Sequence, residues 1–100
     1  MKNVLLCTDH VSAVYAVPDP VAENLEEYGV EFCENWLWSS PDAARYRTRD
    51  GLCYEVSDFI DYLNRHVFPE QPSYLMQDIS HLNPKKSLPQ EYRELPCFLF

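Results

Sequence analysis

The chain has 100 residues, with 16 Asp and Glu against 8 Lys and Arg, for a formal net charge of -8. A chain of this length is a single domain, 1–100, with no room for a cofactor domain beside a substrate domain. The charge argues against nucleic acid as the main partner, because phosphate binding needs a basic footprint, and equally against an anionic membrane surface.

The opening apolar run, Val4-Leu5-Leu6-Cys7, is too short for the h-region of a signal peptide. No window approaches the ~20 apolar residues of a membrane span, so a cytoplasmic protein is expected. Val4 to Cys7 and Val11 to Val17 are apolar and rich in β-branched residues, with Thr8-Asp9-His10 between them. They predict an N-terminal β-hairpin, ended by Val17-Pro18.

The next segment is the clearest. Asp19 is placed as an N-cap and Pro20 as the first helical residue. Val21, Leu25, Tyr28, Phe32 and Trp36 then fall within an arc of roughly 80° on a helical wheel. Glu23, Glu26, Glu27, Glu31 and Glu34 fall on the opposite side. A long amphipathic helix over 20–38 is predicted. Gly29 weakens it by about 1 kcal/mol relative to Ala, but both faces continue in phase beyond it. Val30, Leu37 and Trp38 fall among the acids on the same wheel.

Ser40 and Pro41 suit the cap and first position of a short helix. Arg45 to Arg49 and Leu52 to Val56 flank Asp50-Gly51, a strong hairpin signal. Ser57 is placed as the cap of a second helix, Asp58 to about Val67, with Phe59, Ile60, Leu63 and Val67 inward. Pro69 ends it. Beyond it, Ser73 to Met76 reads as a short strand or turn and Asp78 to Leu82 as one helical turn. Asn83 to Lys86 reads as an exposed loop. The apolar end, Leu95 to Phe100, is expected to dock as an edge strand. The fold class is therefore α+β. One long amphipathic helix and one shorter helix pack on a small, mostly antiparallel sheet built from hairpins.

Chemistry-bearing patterns are sparse. Cys7, Cys33, Cys53 and Cys97 form no CxxC and no zinc-finger spacing with His10, His66 or His81. They read as reduced, mostly buried thiols. No HExxH, EF-hand loop, GxSxG or phosphate-cradling glycine loop is present. No metal ligand set, cofactor or catalytic residue is assigned.

Charge carries the functional reading. Residues 1–44 sum to -7, with Lys2 the one basic residue, while 45–100 sum to -1. Glu23, Glu26, Glu27, Glu31 and Glu34, with Trp38 as an aromatic anchor, form a docking face for a protein with a basic surface. In its specific form this expectation makes the chain a non-enzymatic inhibitor or regulator that occupies a basic, nucleic-acid-facing surface of its partner. The bland alternative is a solvated helix face. Arg45, Arg47 and Arg49 alternate, and in a strand they would make one anion-contacting stripe; pairing within the chain is the alternative. Two other functional readings remain. One is a small-ligand or enzymatic site between the second helix and the hairpins, using Tyr46, Tyr54 or His66. The other is a homodimer through Phe98 to Phe100. In size and charge alone the chain resembles the small acidic proteins common on bacterial mobile elements, with no motif behind the likeness.

Overall fold

A computed structural model describes residues 1–8, 11–80 and 90–100. Strands β1 (Lys2–Cys7) and β2 (Ser12–Val17) pair antiparallel, from Lys2 opposite Val17 to Cys7 opposite Ser12. The connection closes locally: the Thr8 amide donates to the Val11 carbonyl at 2.7 Å, and the Val11 amide to Thr8 Oγ1 at 3.1 Å. This is the predicted hairpin; Asp9 and His10 lie outside the described residues.

The long helical run starts one residue earlier than expected. Pro18 is its N-cap, and α1 (Asp19–Glu23) begins with Asp19 already helical, its carboxylate 3.0 Å from the Met1 amino group. The run is interrupted, but at Asn24 and not at Gly29. Asn24 leaves the helical region, at φ -131 and ψ 38, while its Nδ2 donates to the Pro20 carbonyl at 3.0 Å. An Asn side chain competes with the helix for backbone partners in this way. Helix α2 (Leu25–Val30) then passes into a π-helical stretch, Glu31–Trp36, and finishes as α3 (Leu37–Ser39).

The π-helical stretch corrects one expectation. Its i→i+5 bonding puts Leu37 in phase with Phe32, and the Leu37 amide donates to the Phe32 carbonyl. Leu37 is therefore fully buried instead of lying among the acids, while Trp38 stays 54% exposed. An ordinary 3.6-residue wheel carries no sign of that shift.

Ser40 caps the next segment as predicted, accepting from the Asp42 amide at 3.2 Å, and a 3₁₀ helix runs over Pro41–Tyr46. The second hairpin is consequently short: β3 (Arg47–Thr48) pairs with β4 (Gly51–Leu52). Its connecting residues are Arg49 and Asp50, not Asp50 and Gly51. Gly51 takes φ +123, open to glycine but strained for other residues. Helix α4 (Val56–Tyr62), extended by a π-helical turn Leu63–Val67, starts before the expected cap. Glu55, not Ser57, is its N-cap. The Glu55 side chain accepts from the Asp58 backbone, and Asp58 Oδ2 accepts from the Glu55 amide at 2.7 Å. This reciprocal box satisfies two orphan donors at once.

Strand β5 (Tyr74–Asp78) pairs antiparallel with β2, so Asp78 lies in a strand and does not open a helical turn. Residues 81–89, including the predicted Asn83–Lys86 loop and His81, lie outside the described residues. After the short α5 (Gln90–Arg93), β6 (Cys97–Leu99) joins β1 in parallel, making the sheet order β5-β2-β1-β6. The C-terminus is thus the edge strand that its apolar character implied.

Two apolar layers cover the sheet. On one face Val4, Leu6, Tyr15 and Val17 meet Val21, Leu25, Phe32 and Leu37 from the first helical run and Phe59 and Leu63 from the second. Phe32 is the hub of an aromatic cluster, with the rings of Trp36, Tyr54, Phe59 and Tyr62 between 5.3 and 5.7 Å away. On the other face Leu5, Cys7, Val14 and Ile79 are covered by Tyr92 and Leu95. The outcome is a small α+β domain. Among the described residues no helix is long and apolar enough to cross a membrane.

Candidate functional site

The five glutamates at 23, 26, 27, 31 and 34 are all exposed along the outer side of α1, α2 and the π-helical stretch. One of them is partly neutralised: Lys2 Nζ lies 3.1 Å from Glu23 Oε1, and this hydrogen bond raises the Lys2 pKa. Glu31 accepts from Asn35 Nδ2 at 2.6 Å, which orders its carboxylate without cancelling its charge. Among the described residues no ion pair is formed by Glu26, Glu27, Glu31 or Glu34. The same side of the run carries two uncovered apolar groups, Val30 at 38% exposure and Trp38 at 54%. The face therefore offers charge for steering and an aromatic group whose burial would contribute to affinity.

The three arginines do not form the stripe expected of them. Arg45 lies in the 3₁₀ helix, Arg47 in β3 and Arg49 in the turn. Arg45 donates to the Tyr46 hydroxyl and sits 4.7 Å from the centre of that ring; this bond raises its pKa, with smaller contributions from Asp58 and Asp61. Arg47 closes the end of the helical run, donating to the Trp38 carbonyl at 3.0 Å and to the Ser40 carbonyl. The Ser40 carbonyl also accepts from the Ala43 amide at 3.1 Å, so the guanidinium adds a second donor there and supplies the Trp38 carbonyl at the helix end. Two of the three are thus engaged within the chain, Arg45 while remaining exposed, and Arg49 is exposed at the turn.

The residues considered for a ligand site separate into two clefts. Tyr46 and His66 line one of about 320 Å³ with Trp36, Asp58, Asp61 and Tyr62. There the Tyr46 hydroxyl donates to Asp58 Oδ1 at 3.2 Å, and the Trp36 and His66 rings lie 5.2 Å apart. Asp58 is already occupied, since its other oxygen holds the helix cap. Tyr54 lines a second cleft, of about 560 Å³, between the N-terminal hairpin and the start of α4. Neither of these two clefts joins Tyr46, Tyr54 and His66.

The cysteines correct another expectation, because only Cys7 is fully buried; Cys33 is half-buried, and Cys53 and Cys97 are exposed. Cys33 Sγ lies 3.3 Å from the Tyr54 hydroxyl, and burial pushes its pKa up. A thiol held protonated is a poor nucleophile. Cys97, beside Cys7, is pushed up to about 11, chiefly by burial. Among the described residues no three His, Cys, Asp or Glu side chains converge on a metal-sized site. The 560 Å³ cleft lies between the second helix and a hairpin and includes Tyr54, as one reading of the sequence placed a site. Its other walls, Val11, Tyr15, Val56 and Phe100, lie far apart along the chain and carried no signal in the sequence. Comparison with protein-family models, curated proteins and solved structures returns no match.

Proposed function

We propose that this protein acts by binding, covering a basic surface of a protein partner with its glutamate-lined helical face. A regulator that occludes a nucleic-acid-facing surface is the specific form favoured. One observation carries the reading: the exposed carboxylates of Glu26, Glu27 and Glu34, without an ion pair among the described residues, share their side of the helical run with the uncovered Val30 and Trp38. A merely solvated face has no need of a half-exposed indole. Charge complementarity speeds encounter, and a central aromatic group supplies the slow dissociation.

The test is a pull-down with the native chain and with the Glu27→Lys, Glu31→Lys double variant. Basic partners held by the native chain should be lost by the variant at low salt. Added DNA or RNA should compete for the same partners. The association rate of a purified partner should fall by about ten-fold or more at low salt, with less effect at high salt. A partner that binds native and charge-reversed chains equally at low salt refutes the proposal.

A further inference from the structure

We infer that the cleft between the N-terminal hairpin and α4 is a binding site for an uncharged aromatic molecule of two or three rings. The inference concerns a different surface from the acidic face and is independent of the docking role. Its volume, about 560 Å³, lies within the roughly 300–1,000 Å³ typical of small-molecule sites. Val11, Tyr15, Tyr54, Val56 and Phe100 make its walls, and among the described residues Thr8, Glu55 and Ser57 add polar groups.

Three features select the ligand. The Tyr54 and Phe100 rings, both in the lining, are 6.2 Å apart and 75° to each other. Two rings at a steep angle in one wall favour an aromatic guest, which gains ring–ring contact beyond its area burial. The Tyr54 hydroxyl is taken up by the Cys33 thiol at 3.3 Å, so the guest meets carbon more than phenolic oxygen. Charge excludes the rest: among the described residues the one carboxylate in the lining is Glu55, and the chain carries -8, so anions are repelled. Glu55 itself accepts from the Asp58 backbone in the helix cap, which leaves it poorly placed to hold an ammonium.

The experiment titrates the full chain with N-phenyl-1-naphthylamine, an uncharged dye that brightens in apolar surroundings. Saturable one-to-one binding is expected, with a dissociation constant on the order of micromolar. Its sulfonated analogue, 1-anilinonaphthalene-8-sulfonate, should bind about ten-fold more weakly or worse, because it carries the wrong charge. Val11 is 38% exposed at the rim, so Val11→Glu adds a carboxylate to the cleft without opening the core, and should weaken dye binding by about ten-fold. Ser57→Glu is the second variant; an acid in the first helical turn suits the helix dipole, so folding is preserved. It too should weaken binding. Val30→Glu, on the acidic face, should change binding by less than about two-fold. Non-saturable binding, equal affinity for the sulfonate, or equal loss in Val30→Glu would each overturn the assignment.

Discussion

Gly29 is the position where two local rules conflict, and its substitution gives a sign that can be calculated beforehand. It lies inside α2, with no positive φ. On helix propensity alone, Gly29→Ala should stabilise the protein by about 1 kcal/mol. A Cβ there, however, would come within 2.5 to 2.7 Å of the Phe98 ring. Overpacking of this kind costs about 1–3 kcal/mol. The net expectation is a destabilisation of up to about 2 kcal/mol, felt first in β6, which must shift to accommodate the methyl group. Truncating the obstacle reverses the sign: in a Phe98→Ala background, Gly29→Ala should stabilise by about 1 kcal/mol. Equilibrium urea unfolding of the four proteins reads both effects, since about 1 kcal/mol moves the midpoint by roughly 0.3–1 M. Gly29→Ala stabilising the native background, or a coupling between the two sites below about 0.5 kcal/mol, would refute this account of the glycine.

Three further predictions concern the helix end and the ionisable groups. Leu37→Ala should cost about 2–5 kcal/mol in urea unfolding. Its neighbour Trp38→Ala should stay within about 0.5 kcal/mol while weakening partner capture; equal costs would contradict the phase shift of the π-helical stretch. Arg47→Ala, which frees the Trp38 carbonyl and leaves the Ser40 carbonyl with the Ala43 amide alone, should cost about 1–3 kcal/mol, against under about 0.5 kcal/mol for Arg49→Ala by the same assay. Stability should also fall at alkaline pH. Cys97 holds its proton to about 11 in the folded chain against an ordinary value of 9.0, so the unfolded chain deprotonates first. Stabilisation from this group is complete below pH 9.0 and declines as pH rises toward about 11. Tyr15, Tyr54 and Tyr62, all raised mainly by burial, add to the decline above their ordinary 10.0. Cys33, also raised by burial, contributes from the same ordinary 9.0. Unfolding midpoints across this range should therefore show that Cys97→Ser removes some of the earlier part and Cys33→Ser with Cys97→Ser the rest, leaving the tyrosine part.

How much was legible in the residues differs by element. The Val21, Leu25, Tyr28, Phe32, Trp36 spacing sufficed for the first helical run, and all five are buried or half-buried. Local patterning also sufficed for the β1–β2 hairpin, the Ser40 cap and the docking of the C-terminal strand. The arginine stripe failed for a local reason: the Ser40-Pro41 start carries helical geometry through Arg45 and Tyr46, so period-2 alternation never applies to them. Placing the second helix cap at Ser57 failed because a competing pair, Glu55 and Asp58, forms a complete reciprocal box two residues earlier.

By itself, the sequence determined the fold class, the polarised charge and the side of the first helical run that faces water. These are local properties, written in periodicity and in the counts of charged residues. Tertiary structure decided the rest. The turn into π-helix sends Leu37 inward and leaves Trp38 outside; Gly29 earns its place through Phe98, 69 positions further along; and the 560 Å³ cleft is assembled from Val11 to Phe100. The physical reason is common to all three: each depends on which distant side chain packs against a site, and local periodicity is silent on that.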